Sequence, residues 1–264
     1  MASTKKPVTG WQRSVVLGLD RFIYRVSKRW LLVFNIIVAI YVGLPLLAPV
    51  LMNAGATGPA RAIYVAYSPF CHQMVTRSFF VGGDQYAYPR SLAGTNLTSF
   101  EETVKDVPEF AGINMSDDNW GQIFAIARTY LGNDEMGYKT ALCQRDMAIY
   151  GFILLGGILY AILRRRFDIK PLPVWAFILI GMGPIGLDGF SQLFGYMSLS
   201  FAEGSFWANL FGLLGVRESP PLIRSLTGAW FGLTLVWLAY PHVNEGMKQT
   251  TIELKEKLTK AGAL

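Results

Sequence analysis

WLLVFNIIVAIYVGLPLLAPVLMNAGATGPA, residues 30–60, is a run of sequence without a single charged side chain. A helix of about 20 apolar residues crosses the hydrocarbon core of a bilayer, so this run is long enough to span a membrane. Three further uncharged runs follow, at residues 147–163, 171–187 and 225–244. A soluble protein could bury one such run in its core, whereas four predict an integral membrane protein.

The composition supports this class. Charged residues make up 16% of the chain, against about 25% in soluble proteins. We therefore predict an all-α, polytopic membrane helix bundle with about four spanning helices. Gly228 and Gly232, four residues apart in the last run, are typical of closely packed helices. The predicted spans lie near residues 30–52, 147–163, 172–194 and 224–241.

Basic residues flank the spans unevenly and predict the orientation. They are concentrated in residues 1–29, in the loop 164–170 and in the tail 245–264. The positive-inside rule then places the chain in the cell membrane with both termini in the cytoplasm, and residues 53–146 and 195–221 outside. Because the bases lie beside the spans, the net charge of +6 indicates anionic lipid contact and not a nucleic-acid partner.

These features divide the chain into three parts. Residues 1–29 form a cytoplasmic amphipathic segment, with Trp11, Val15, Leu19, Phe22, Val26 and Trp30 at helical spacing. Residues 30–244 form the membrane domain, and residues 245–264 a basic cytoplasmic tail. The polar insertion 83–140 is expected to cap the outer end of the bundle, with a helical stretch around residues 120–130.

The moderately apolar stretch 62–76 is a special case. It is short, contains Pro69, His72 and Gln73, and would reverse the orientation of the basic loop 164–170 if it crossed the membrane. We expect a re-entrant or interfacial helix covered by the bundle, since irregular backbone at membrane depth needs protein around it. A fifth span is the alternative.

The two cysteines, Cys71 and Cys143, both fall on the predicted outer side. Three interpretations remain open. An oxidising compartment favours a disulfide between them. Alternatively, Cys71 and Cys143 with His72 or Asp146 form a metal site, for which zinc is the candidate ion, because Cys143 and Asp146 lie three residues apart on one helical face. The third interpretation is a pair of free thiols.

A buried polar cluster is predicted at the end of the third span. Asp188 follows an apolar run, and Gln192 lies one turn further along the same face. A carboxylate at this depth needs a partner or a water-filled cavity. We expect that partner to be Arg224 or Arg217. The pair could fix helix packing, or Asp188 and Arg224 could be catalytic residues.

Five polar motifs follow one another along the chain: Cys71-His72-Gln73, Arg77-Ser78-Phe79-Phe80, Cys143-x-Arg145, Asp188-Gly189-x-x-Gln192 and Arg224-x-x-Thr227-Gly228. This ordered set resembles the motifs of the prokaryotic membrane proteins catalogued as a domain of unknown function. The resemblance covers residues 60–240. The chain differs from the family pattern at Asp146, where the family has a cysteine, and in its longer outer segment. The resemblance implies a polar site and no established activity.

Three functions follow as hypotheses. The first is a binding or structural membrane module with its site on the outer face, working with other membrane subunits or as a homo-oligomer. The second is a membrane enzyme acting on a lipid-linked or amphipathic substrate at the outer leaflet, with Asp188 as acid or base and Arg224 as an anion clamp. The third is a small transporter with an ion site at Asp188.

Overall fold

A computed structural model describes residues 10–116 and 119–264, and they are mostly helical. The α-helices are α1 (Trp11–Lys28), α2 (Trp30–Asn53), α3 (Thr57–Tyr67), α4 (Phe100–Thr103), α5 (Trp120–Thr129), α6 (Gln144–Leu163), α7 (Val174–Ala176), α8 (Gly183–Ser198), α9 (Phe206–Phe211) and α10 (Pro221–Lys260). Single 3₁₀ turns lie at Val75–Arg77, Ser91–Ala93, Pro108–Phe110 and Gly212–Leu214. A π-helical segment, Phe177–Met182, joins α7 to α8.

Four helices are long and apolar enough to cross a membrane: Trp30–Asn53, Gln144–Leu163, Val174–Ser198 and Pro221–Lys260. The predicted helix bundle with four spans is thereby confirmed. The last helix is much longer than its predicted span. It passes through Pro241 and continues into a polar segment rich in lysine and glutamate, which are good helix formers.

Glycines bring α6 and α10 into close contact. A Cβ atom added at Gly228 would lie 2.7 Å from the carbonyl oxygen of Arg145, and one at Gly232 would lie 2.5 Å from that of Ile149. At both positions the neighbour is backbone, which cannot rotate away. The predicted Gly-x-x-x-Gly pair therefore sits where the two helix backbones meet.

Helix α1 lies against the end of α10. Lys257 near the end of α10 pairs with Asp20 of α1 at 2.7 Å, and Arg21 donates to the carbonyl oxygen of Ala263 at 2.5 Å. The side chains of Trp11 and Phe22 on α1 remain 74% and 64% exposed. An exposed apolar stripe on a helix with basic residues in its last turn is typical of a helix at a membrane surface, and that role stays a prediction.

Residues 68–143, referred to below as the cap, contain a small antiparallel sheet in the order β1-β3-β2. Its strands are β1 (Ser78–Val81), β2 (Gly132–Asn133) and β3 (Gly137–Cys143). The sequence analysis predicted no strand, because each is short and β1 and β3 are far apart in the chain. The helix expected around residues 120–130 is present as α5.

The cap has a hydrophobic core of its own, separate from the bundle. Its buried members include Phe80, Phe100, Phe110, Ile123 and Met136. Ring pairs such as Phe100 with Phe110, whose centroids are 5.3 Å apart, pack edge to face. The cap is thus a folded unit that can hold side chains firmly over the end of the bundle.

The stretch 62–76 does not form one helix. The helix α3 ends at Tyr67, and its 11 residues measure about 16 Å, about half the thickness of the hydrocarbon core. An irregular segment follows and is anchored from within: the Gln73 side-chain amide donates to the carbonyl oxygen of Tyr64 at 2.8 Å. The fifth span, which was the alternative, is therefore not formed.

Candidate functional site

A cavity of about 600 Å³ lies between the cap and the adjoining ends of α6, α8 and α10. Sites for small molecules commonly have volumes of about 300–1,000 Å³. The cavity is lined by thiol, imidazole, carboxyl and guanidinium groups as well as apolar side chains. Its lining residues are Phe70, Cys71, His72, Met74, Arg77, Phe124, Cys143, Arg145, Asp146, Gly189, Gln192, Leu193, Tyr196 and Arg224.

The two cysteines meet in this cavity. Their Sγ atoms are 2.9 Å apart, and both are free thiols. Pairing of β1 with β3 sets Ser78 opposite Cys143 and so brings two distant parts of the chain together. A carboxylate oxygen of Asp146, in the first turn of α6, completes a group of three candidate ligand atoms that all lie within 4.8 Å of one another.

Backbone donors surround the sulfur of Cys71. The N–H groups of Gln73 and Cys143 donate to it at 3.4 and 3.2 Å. Gln73 has φ of 52°, a left-handed conformation that is uncommon for a residue with a side chain. Such conformations persist only where the surroundings hold them, and here the Gln73 amide is fixed by Tyr64. Turning backbone N–H groups toward a sulfur stabilises its thiolate form.

The two thiols are inequivalent. The thiol of Cys71 donates a hydrogen bond to Cys143, which lowers the pKa of Cys143 to about 7 although burial opposes the shift. The same hydrogen bond, together with burial, raises the pKa of Cys71, the donor. Cys143 is therefore the thiol that ionises first.

His72, the other predicted ligand, points elsewhere. Its ring packs edge-on against Phe124, with the centroids 5.7 Å apart. It lines the cavity but is not one of the three converging groups formed by Cys71, Cys143 and Asp146. Neighbouring residues on an irregular segment direct their side chains differently, so His72 forms part of the wall around the thiols.

A buried lysine lies behind the thiols. Lys139 of β3 is fully buried, and its ammonium group donates to the carbonyl oxygens of Gln73 and Arg128 at 2.6 and 2.7 Å. Burial lowers the pKa of Lys139 to about 7, which negative charge at Cys143 and Cys71 opposes and the charge of Arg128 reinforces. Lys139 ties the turn around Gln73 to the helix α5.

Asp188 is buried, with 6% of its surface exposed, and lies at the centre of a polar network. Its carboxylate pairs with Arg145 of α6 and, at 3.6 Å, with Arg217. It also accepts a hydrogen bond from the hydroxyl of Ser219, and its backbone carbonyl accepts one from the side-chain amide of Gln192 at 2.8 Å. The network joins α6, α8 and the loop before α10.

Arg224 has a different partner from the one expected. It pairs with Glu218, which also accepts from Nε of Arg77 at 2.7 Å and from its Nη2 at 3.1 Å. Arg224 further donates to the side-chain oxygen of Gln192 at 3.0 Å, so it reaches Asp188 only through that amide. Burial favours the neutral form of Glu218, but Arg77 and Arg224 outweigh it and lower the pKa of this carboxyl.

The structure thus brings the predicted residues into two adjoining groups. Cys71, Cys143 and Asp146 form one; Asp188, Gln192, Arg217 and Arg224 belong to the other. Sequence reasoning missed four members of the second group: Arg77, Arg145, Glu218 and Ser219. Arg77 and Arg145 stood in the motifs quoted above, which was a usable signal, whereas Glu218 and Ser219 lie in a connecting loop and had none.

Comparisons with known proteins agree with this architecture. Residues 135–238 match the model of a family described as "Predicted membrane protein (DUF2085)", which confirms the resemblance to membrane proteins of unknown function. An uncharacterized protein of Methanocaldococcus jannaschii is 30% identical over 105 residues. That alignment covers 40% of this chain and 54% of the relative, so the chain spans about half the length of the relative. No solved structure matches the chain at a significant level.

Proposed function

We propose that the protein is a membrane binding module whose cavity holds a zinc ion on Cys71, Cys143 and Asp146. The supporting observation is the convergence of two sulfurs and a carboxylate oxygen within 4.8 Å at the wall of one cavity. Cysteine thiolates and carboxylates are zinc ligands, and three protein ligands leave a fourth position for water or a bound molecule.

The geometry fits zinc after a small adjustment. Zn–S bonds of about 2.3 Å in a tetrahedral site place two sulfurs about 3.8 Å apart. The sulfurs are 2.9 Å apart, so they would have to separate to bind zinc. The backbone N–H groups directed at Cys71 then serve to stabilise its thiolate. Asp146 favours the metal over a disulfide, because a disulfide gives the nearby carboxylate no role.

The contacts of Asp188 support a structural role for this residue, which is to position Arg145, and not a catalytic role. Asp188 already binds two arginines and a serine, and it is not among the residues of the described chain that line the cavity. A general acid or base has to reach the group it protonates or deprotonates. We infer that Asp188 positions Arg145, which does line the cavity.

For the orientation we propose that the cap faces outward and both termini lie in the cytoplasm. Support comes from the basic segments beside the terminal ends of the spans and from the pairing of α1 with α10. Cysteines introduced at Lys105 in the cap and at Lys170 in the loop after α6 should react with an impermeant reagent from opposite sides. Reaction of both from outside would contradict this orientation.

Metal analysis combined with a thiol count tests the zinc proposal. Protein purified without chelator should contain about one zinc ion per chain, and both cysteines should react with a thiol reagent after denaturation with chelator. Cys143→Ser should abolish zinc binding and Asp146→Asn should weaken it. The control Asp84→Asn changes an exposed carboxylate of the cap and should leave the zinc content intact. Protein with neither zinc nor reactive thiols would contradict the proposal and indicate a disulfide.

A further inference from the structure

The lining of the cavity combines basic and apolar side chains. Arg77, Arg145 and Arg224 line it. Phe70 and Leu193 line it as well, and they are 70% and 50% exposed. A molecule that contacts both kinds of side chain must carry a negative charge and an apolar chain.

The arginines retain capacity for a ligand. Arg145 uses Nη2 for Asp188, while its Nε has no hydrogen-bond partner among the described residues although it is shielded from solvent. A guanidinium has five N–H donors, so several remain available. Among the described residues, the positive charges of this cluster outnumber the negative ones. Four arginines pair with two carboxylates, Asp188 and Glu218, and the positive excess remains when Asp146 is counted; the arginines are Arg77, Arg145, Arg217 and Arg224.

A glycine leaves room beside the guanidinium of Arg145. Gly189 lines the cavity, and a Cβ atom added there would contact Nη1 of Arg145 at 3.6 Å. One turn further along α8 lies Leu193, half exposed on a membrane-spanning helix. Arg145, Gly189 and Leu193 therefore place a guanidinium, an open position and an exposed apolar side chain of a membrane-spanning helix in succession.

We propose that the cavity binds the headgroup of an anionic phospholipid from the leaflet on the cap side. Arg145 contacts the phosphate, and an acyl chain lies over Leu193 and Phe70. Phosphate suits this site because guanidinium groups bind its oxygens in pairs, and phospholipid suits it because the apolar side chains of the lining include Leu193 of a membrane-spanning helix. The inference rests on the proposed binding function in using the same cavity, but it does not require the zinc ion.

Native mass spectrometry of the full-length protein in detergent provides the test. Dioleoyl phosphatidylglycerol and dioleoyl phosphatidylcholine have the same chains and both contain a phosphodiester, but only the first is anionic. We expect phosphatidylglycerol to bind about tenfold more tightly, because the choline ammonium of phosphatidylcholine is repelled by the arginines that attract the phosphate. Arg145→Gln should remove the preference, and Leu193→Gln should weaken the binding of both lipids.

Matched variants control for folding and for nonspecific effects. Arg61→Gln removes an exposed arginine outside the cavity, and Leu187→Gln changes a leucine of the same helix that is 76% exposed; neither should alter the preference. If Arg145→Gln does not fold, Leu193→Gln still tests the inference, because the Leu193 side chain is half exposed and we expect that variant to fold. Equal affinity for the two lipids, or lipid binding that Leu193→Gln leaves unchanged, would overturn the inference.

Two further measurements distinguish a lipid phosphate from a free phosphate as the ligand, and the lipid proposal from the zinc proposal. Inorganic phosphate that displaces phosphatidylglycerol at equal concentration would identify a site for a free anion and overturn the lipid assignment. Zinc content is determined on the same samples. Lipid preference without zinc would overturn only the metal site, whereas zinc without lipid preference would overturn only this inference.

Discussion

Arg77 and Glu218 form a two-point ion pair, with Nε donating to Oε1 at 2.7 Å and Nη2 to Oε2 at 3.1 Å. Arg77 belongs to the cap and Glu218 to the loop before α10. Tyr196 of α8 adds a third contact through its hydroxyl, which donates to Glu218 at 3.1 Å. The pair therefore fastens the cap to two membrane helices at the edge of the cavity.

Glu218→Gln should destabilise the protein. It leaves the buried Arg224 and the partly buried Arg77 without their counter-charge, and breaking a buried pair such as Arg224 with Glu218 costs about 3–5 kcal/mol. Thermal unfolding in detergent measures the effect. The control Glu245→Gln removes an exposed ion pair with Lys248 and should change the free energy of unfolding by less than about 1 kcal/mol. An unchanged Tm for Glu218→Gln would show that the pair does not hold the cap.

Asp188→Asn should lower Tm while zinc remains bound. The substitution removes the negative charge between Arg145 and Arg217 but leaves Cys71, Cys143 and Asp146 in place. The zinc-to-protein ratio and the Tm are measured on one sample, beside the exposed control Asp168→Asn. A variant with unchanged Tm that has lost its zinc would contradict the structural role assigned to Asp188.

Gly232→Ala should also destabilise, because the added methyl group would meet the backbone of Ile149 at 2.5 Å. Overpacking of this kind costs about 1–3 kcal/mol. Gly246→Ala on the same helix has open space around it and should leave stability equal or slightly higher. Equal Tm values for the two variants would mean that α6 and α10 are not in close contact at Gly232.

Lys139 predicts a pH dependence of stability. Its folded pKa of about 7 lies below the ordinary value of 10.5, so between these values the unfolded state binds the extra proton. Stability therefore rises with pH in this window, by at most about 1.4 kcal/mol per unit. Lys139→Met should remove this rise, whereas Lys105→Met, an exposed control, should keep it. Parallel stability curves for wild type and Lys139→Met would contradict the assignment.

The sequence predicted the membrane helices well because each is a local feature. The run 30–60 lacks charge, and its apolar length alone specifies a span. The C-terminal end of α10 was harder to predict from the sequence, because the apolar run stops before the helix does. Lysine and glutamate continue the helix past the membrane without marking a boundary.

The partners within the site could not be predicted in the same way. Asp188 lies 43 residues from Arg145, and only the packing of α6 and α8 against α10 decides that Arg145 reaches it before Arg224 does. The strand pairing that sets Cys71 beside Cys143 is likewise a long-range contact. Hydrophobic periodicity indicates which face of a helix or strand is apolar. It does not indicate which distant charged residue a side chain on that element will contact.

The zinc site is the central claim, and X-ray absorption at the zinc edge tests it most directly. The protein is purified without chelator and measured in detergent. We predict a first shell with two sulfur atoms at about 2.3 Å and oxygen or nitrogen ligands at about 2.0–2.2 Å. Cys143→Ser should contain no bound zinc and therefore show no zinc–sulfur shell. A zinc shell without sulfur in the unmodified protein would contradict the account.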